Sequence, residues 1–279
     1  MNSIAIIGVG LIGGSFALAL RKAGFHGTIL GVSSERSTAK ALEIGAIDRP
    51  ATLEEAAAGA DVLFLSQPIS SILSTIEQLS SLVRPGCLVT DAGSTKVRIV
   101  EQATAYLPSG MFLGGHPMAG KEARGVASAD PDLFCGRPYI FTPVGFEIED
   151  TPAASAFAEW TKVLGAQVLT LSPAYHDLVV AFTSHLPQLA STALAALLLE
   201  ELPSETDLRI AGPGLRDTTR LALSSFDIWK DIVETNTVLI DHVLQVYIDK
   251  LTEIRNNLGT QRLQEIFSVA ADAASKMPR

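Results

Sequence analysis

The N-terminal stretch Ser3–Gly13 constrains the fold more than any other. Ser3-Ile-Ala-Ile-Ile-Gly8 is an apolar run that reads as a buried parallel strand, and Gly8-Val-Gly10-Leu11-Ile12-Gly13 follows without a break. Gly14–Gly24 then reads as a helix carrying Phe16, Leu18, Ala19 and Leu20, and Thr28–Val32 as a second strand. Strand, GxGxxG, helix and strand within about thirty residues is the arrangement that a dinucleotide pyrophosphate needs. Gly8 permits the tight turn, Gly10 lets the backbone approach the phosphates, and Gly13 lets the helix pack on the strand. Leu11 and Ile12, inside the motif, count with the glycines as cofactor-binding residues, and the N-terminus of the helix that follows offers unpaired N–H groups and a positive dipole end to the phosphates. Taken alone, the motif also fits a merely structural glycine turn.

The end of the second strand is where such a site reads the ribose. An Asp or Glu there serves NAD, whereas this chain has Ser33-Ser34-Glu35-Arg36. Hydroxyls at Ser33 and Ser34 with a guanidinium at Arg36 suit a 2′-phosphate, so NADP is favoured over NAD. Glu35 keeps the other reading open, since it can take the ribose hydroxyls or simply start the next helix.

The alternation continues along the chain. Residues 35–44 read as a helix and Asp61–Ser66 as a strand, broken by Gln67-Pro68 beside the expected cofactor. Residues 69–83 read as a helix and Cys87–Asp91 as a strand, followed by Ala92-Gly93-Ser94-Thr95-Lys96 and a helix to Tyr106. Met111–Leu113, Pro138–Pro143 and Val168–Leu171 read as further strands, with a helix over 151–164. After residue 172 only helical patterns remain. The expected fold is α/β: a doubly wound, mostly parallel Rossmann-type sheet over 1–172, then an all-helical domain over 173–279. Apolar residues from Ile228 to Arg255 predict one of its helices. Leu202-Pro203 closes another.

Composition narrows the function. The 279 residues carry a net charge of −9, which argues against general nucleic-acid binding. An anionic substrate must then be held by locally placed cations. Cys87 and Cys135 are far apart and form no metal-type spacing, so free thiols in a reducing cytoplasm are expected. Leu178–Leu199 lacks any Asp, Glu, Lys or Arg and is long enough to span a bilayer. Its Thr183, Ser184, His185, Pro187, Gln188, Ser191 and Thr192 fit better with a helix buried inside the protein or in a subunit interface. No membrane association is expected, and a homodimer through the helical domain is.

Chemistry points first to His116, in Gly114-Gly-His-Pro-Met-Ala-Gly120, read as a glycine-flanked loop after a strand at the ligand-binding edge. His185, within Ser184-His-Leu-Pro187, reads equally as a core or a functional histidine. His176, before Asp177 at the domain junction, reads as a helix-start or surface residue ahead of a functional one. Ser94 can cap the helix after it or face the nicotinamide. Arg216 and Arg220 share a helix face if their segment is helical and can bind a carboxylate, or can pair with Asp217 and neighbouring acids.

Five motifs together carry a resemblance. Gly8-Val-Gly-Leu-Ile-Gly-Gly-Ser15, Asp91-Ala-Gly-Ser-Thr-Lys96, Gly115-His-Pro-Met-Ala-Gly120, Ser184-His-Leu-Pro187 and Asp217-Thr-Thr-Arg220 resemble the prephenate/arogenate dehydrogenase family in order and spacing. The resemblance spans nearly the whole chain and fits the short, single-function form, with no room for a chorismate mutase or regulatory domain. It implies oxidative decarboxylation of prephenate or arogenate, a small dicarboxylate, in tyrosine biosynthesis. It also implies roles: His116 as the base taking the ring-hydroxyl proton, Ser94 assisting near that hydroxyl and the nicotinamide, Arg220 binding a carboxylate, and His185 positioning substrate. Gln188 departs from the pattern, standing where many relatives have a second histidine. Two other classes compete. A β-hydroxyacid dehydrogenase relies on a helix-borne lysine, for which Lys162 and Lys230 are the nearest candidates. A non-enzymatic dinucleotide sensor needs no His116–Arg220 pair.

Overall fold

Alternation along the strands explains the layers. In β1 (Ser3–Ile7), Ile4 and Ile6 enter one apolar cluster, and Ala5 and Ile7 enter another on the opposite face. β4 (Val62–Leu65) repeats the pattern, with Val62 and Phe64 on the first face and Leu63 and Leu65 on the second. Successive strand side chains point to opposite faces, so a strand apolar throughout must be covered on both. The computed structural model shows this, and it describes all residues except Glu122, Pro203, residues 205–208 and residues 278–279. The expected helix closure at Leu202-Pro203 therefore falls partly outside the described residues.

Eight described strands form one sheet in the order β3-β2-β1-β4-β5-β6-β7-β8. The others are β2 (Thr28–Val32), β3 (Arg49–Pro50), β5 (Leu88–Asp91), β6 (Phe112–Pro117), β7 (Pro138–Thr142) and β8 (Gln167–Thr170). All neighbours are parallel except β6 and β7. The first six strands have the doubly wound order, with its reversal between β1 and β4. Around them lie α1 (Leu11–Lys22), α2 (Glu35–Glu43), α3 (Leu53–Gly59), α4 (Ile69–Leu79), α5 (Val97–Tyr106) and α6 (Pro152–Val163). One face is filled by Phe16 of α1, stacked on Phe157 of α6 with centroids 5.4 Å apart, and by Phe64, Phe134 and Phe141.

The chain divides into two compact units: Met1–Val180 with Leu223–Asn236, and Ala181–Ala222 with Thr237–Arg279. The first thus holds α7 (Pro173–Val180) and α10 (Phe226–Thr235) besides the sheet. Packing explains the return of α10. Trp229 and Ile232 join the apolar cluster that includes Ile72 and Ile76 of α4. The carboxylate of Asp231 accepts the N–H of Ser70 at 2.7 Å, serving the N-terminus of α4. The helix expected over Ile228–Arg255 accordingly breaks at Asn236. In the second unit, α8 (Leu186–Glu201) packs against α9 (Pro213–Thr219) and α11 (Thr237–Asn256), and α12 (Gln261–Ser275) follows.

The apolar run behaves differently from a buried helix. Pro173–Glu201 is long and apolar enough to cross a membrane by length and composition alone. A π-turn, Ala181–His185, interrupts it just before Pro187, whose missing N–H cannot continue the regular ladder. In α8 the buried residues are Gln188 and Ser191, whereas Leu197 and Leu199 are exposed.

The Gly114–Pro117 stretch requires a correction: it is part of strand β6, not a loop after one. Its glycines supply room. A Cβ on Gly115 would lie 2.6 Å from the carbonyl oxygen of Asp91 and 3.2 Å from the Tyr139 ring, and one on Gly114 would strike Thr142 Oγ1. Overpacking of this kind costs about 1–3 kcal/mol. Gly115→Ala is expected to lower unfolding stability by about that much in urea titration; an unchanged midpoint would show that β6 relaxes without cost.

Candidate active site

The glycine motif forms at the carboxyl end of β1. Gly8 adopts φ +93°, and a Cβ there would lie 2.7 Å from Gln67 Cγ and 2.9 Å from the Ser66 backbone. Gly10 starts α1 without a side-chain cap, and a Cβ built on it meets nothing within 4 Å. Gly13 faces Ile6, where a Cβ would come within 2.6 Å. The three glycines therefore meet three distinct needs: a left-handed turn, an open backbone approach, and helix-on-strand contact.

Register brings the ends of β1, β4 and β5 level, with Ile7 opposite Leu65 and Leu65 opposite Asp91. The residues that follow these ends line a groove of about 390 Å³: Leu11 and Ile12, Gln67 and Pro68, Gly93 and Ser94. A groove at the reversal of strand order, below an uncapped helix N-terminus, fits a nicotinamide dinucleotide. Ser33, Ser34 and Arg36 are exposed just beyond β2. The Ser34 hydroxyl accepts the Ser37 N–H at 3.4 Å and so caps α2.

Ser94 does not cap α5. That task falls to Asp177 of α7, whose carboxylate accepts the N–H groups of Lys96 at 2.7 Å and Val97 at 2.9 Å. Lys96 and Asp91 are fully buried and ion-paired. Lys96 Nζ also donates to the Gly115 carbonyl at 2.7 Å, and Asp91 accepts the Gly115 N–H at 3.0 Å and that of Gly93 at 2.8 Å. Burial pushes the Lys96 ammonium below its ordinary pKa, and the adjacent Asp91 carboxylate opposes the shift. Both backbone polar groups of Gly115, the residue before His116, are thus held by one buried charge pair.

His116 is itself buried, and its Nδ1 lies 2.8 Å from Nε2 of His176. His176 Nδ1 lies 2.7 Å from Asp177 Oδ1. A carboxylate only accepts, so His176 Nδ1 carries the proton. With His176 neutral, its Nε2 accepts from His116 Nδ1, which places the lone pair of neutral His116 on Nε2. Asn236 Nδ2 donates to the Asp177 carbonyl at 3.0 Å, tying the base of this relay to the end of α10. His176 is therefore not a surface residue: it is 0% exposed and links the two others. The available signal was the His176-Asp177 dipeptide just ahead of Ser184-His-Leu-Pro187.

The structure gathers Leu11 and Ile12 of the glycine motif, Pro68 and Ser94 around the groove, and His116 with His176 and Asp177, all in the first unit. His185, Arg216 and Arg220 belong to the second. There His185 is buried at the end of the π-turn. Arg216 and Arg220 are exposed. They do not share one regular helix, because α9 tightens into a 3₁₀ turn at Arg220. Lys162, one of the two candidate lysines for a β-hydroxyacid dehydrogenase, pairs with Glu159 on the exposed face of α6 at 2.6 Å. Among the described residues no His/Cys/Asp/Glu cluster suits a metal ion.

Known proteins match this architecture along its length. The model for the prephenate dehydrogenase nucleotide-binding domain matches residues 16–170, and that for the prephenate dehydrogenase dimerization domain matches 172–271. Prephenate dehydrogenase of Bacillus subtilis is 34% identical over 95% of this chain and 72% of its own. The crystal structure of prephenate dehydrogenase from A. aeolicus, in complex with hydroxyphenyl propionate and NAD+, superposes with TM-score 0.90 at 30% identity, covering 100% of this chain and 99% of that one. Synechocystis arogenate dehydrogenase does so with TM-score 0.84 at 30% identity, over 98% and 99%. With both domain models matched in order and a relative 34% identical over 95% of its length, this chain belongs to the prephenate dehydrogenase family.

Proposed function

We propose that this chain oxidatively decarboxylates prephenate or arogenate, with His116 as the general base. The observation that carries the reading is the His116–His176–Asp177 relay in a dinucleotide-binding unit. A bound nicotinamide dinucleotide would supply the acceptor for the hydride that leaves the ring carbon bearing the hydroxyl. Nε2 of His116 takes the proton of the substrate's ring hydroxyl, and the charge that develops on the ring is shared through His176 toward Asp177. Ser94, on the groove wall, donates to the same hydroxyl oxygen and holds it against the base. Loss of the ring carboxylate as CO2 leaves its bonding electrons in the ring, which becomes aromatic. Arg220 binds a substrate carboxylate, Arg216 adds positive charge nearby along the chain, and His185 positions the substrate. These cations answer the problem set by a net charge of −9.

For the cofactor we propose NADP over NAD. Support comes from the absence of an acid at Ser33 and from the exposure of Ser33, Ser34 and Arg36. We further propose a cytoplasmic homodimer joined through the helical unit, where Leu197, Leu199, Phe267 and Val269 are exposed. Sedimentation equilibrium is expected to give the mass of two chains, and a single-chain mass at micromolar concentration would refute the dimer.

The deciding assay follows reduced nicotinamide by absorbance, crossing prephenate and arogenate with NADP and NAD. Turnover of at least one substrate is expected, with the higher kcat/KM for NADP. No turnover of either would sink the functional reading, and a clear preference for NAD would sink the cofactor reading alone. His116→Asn is expected to lower kcat about 10²–10⁴-fold while cofactor binding, read by fluorescence titration, is unchanged. His176→Phe keeps the Asp177 cap on α5 but removes the relay. Its kcat is expected to fall about 10²-fold with an altered acid limb of the pH profile; a wild-type profile would show that His176 only fills space.

A further inference from the structure

In the second unit α8 turns polar side chains inward at one point. Gln188 and Ser191, 6% and 2% exposed, are the residues it buries. Both reach the 3₁₀ turn that begins at Arg220. Gln188 Nε2 donates to the Leu221 carbonyl at 2.8 Å and to Thr192 Oγ1 at 3.2 Å. Ser191 Oγ accepts the Ala222 N–H at 3.2 Å. Thr192 Oγ1 in turn donates to the Gln188 carbonyl at 2.9 Å, which steadies the amide from its own helix.

The chemistry of this contact is specific. The end of a helix leaves carbonyls without partners, and α9 stops at Thr219 with no glycine to close it. An amide that donates and a hydroxyl that accepts, one helical turn apart, satisfy one carbonyl and one N–H on consecutive residues. A buried polar contact contributes little net stability compared with an apolar one, but it admits one register only. A slip of the turn by one residue would part the Leu221 carbonyl and the Ala222 N–H from these partners. The residues so fixed are those directly after Arg220.

We infer that Gln188 and Ser191 are positioning residues that hold the Arg220 backbone, and through it the guanidinium, in the conformation that receives the substrate carboxylate. This rests on the proposed role of Arg220. It also gives Gln188, which stands where many relatives have a histidine, a task that involves no contact with substrate.

The test compares steady-state kinetics of Gln188→Met, which preserves volume and removes the donor, with Ser191→Ala, Arg220→Ala and the two doubles that combine Arg220→Ala with each. Loss of a hydrogen bond that leaves a buried carbonyl unpaired predicts a rise of roughly tenfold in substrate KM for Gln188→Met. A smaller rise is expected for Ser191→Ala, the milder change, which keeps the test open should Gln188→Met not fold. The cofactor KM should stay constant. In the Arg220→Ala background neither substitution should raise KM further, because the group they position is gone. A merely structural role would lower the melting temperature and multiply independently with Arg220→Ala; that result, or an unchanged substrate KM in both single variants, overturns the inference. An unchanged KM in Arg220→Ala overturns the carboxylate reading itself, and the positioning role with it.

Discussion

The carboxylate of Asp177 carries two duties that elsewhere fall to separate groups. It caps α5 by accepting two backbone N–H bonds, and it accepts from His176, which in turn accepts from His116. The first duty makes the second dependable. A carboxylate free to rotate would orient an imidazole loosely, but one pinned by a helix N-terminus has its acceptor direction set. The tautomer of His116 is therefore decided by the start of a helix on the other side of the relay. The side chain that would ordinarily cap that helix, Ser94, is left to face the groove.

The buried pair of Asp91 and Lys96 does corresponding work on the backbone. Taking two charges out of water costs several kcal/mol per ion, recovered only when every remaining donor and acceptor finds a partner. Here the partners are Gly93 N–H and both polar atoms of Gly115. An apolar pair could fill the same volume, but it could not hold the backbone of Gly115. Lys96 links both systems: its side chain secures β6 and its backbone N–H is one of the two that pin Asp177. A single turn after β5 thus sets both the backbone and the ring orientation of His116.

What the sequence revealed follows the range of the forces involved. The glycine motif, the apolar strands and the change to helices after residue 172 are local patterns, and they were legible. Strand β3, two residues long and exposed, carries no such pattern. In the sequence alone, Gly114 and Gly115 suggest the freedom of a loop. Their purpose is clearance from Thr142 and Asp91, which are distant in sequence and meet them only in the folded sheet. His176 looked ordinary because its meaning lies in a partner sixty residues away. The return of α10 to the first unit was equally hidden, since it depends on Trp229, Ile232 and Asp231 meeting α4.

The apolar helix shows why composition misleads when burial is assumed to follow it. A helix in a single folded chain normally turns its apolar stripe inward. In α8 the inward residues are an amide and a hydroxyl, and leucines remain outside. Two requirements account for this inversion together. The polar side must match the backbone of the turn at Arg220, where only hydrogen-bonding groups can specify register. The exposed leucines of α8, like Phe267 and Val269 of α12, are then left for a partner to cover. In the proposed homodimer a second copy of the chain would cover them without disturbing the turn. On this reading the run that resembles a membrane span is apolar because it serves an interface, and it is interrupted by Thr183, Ser184, His185, Gln188 and Ser191 because it also serves a site.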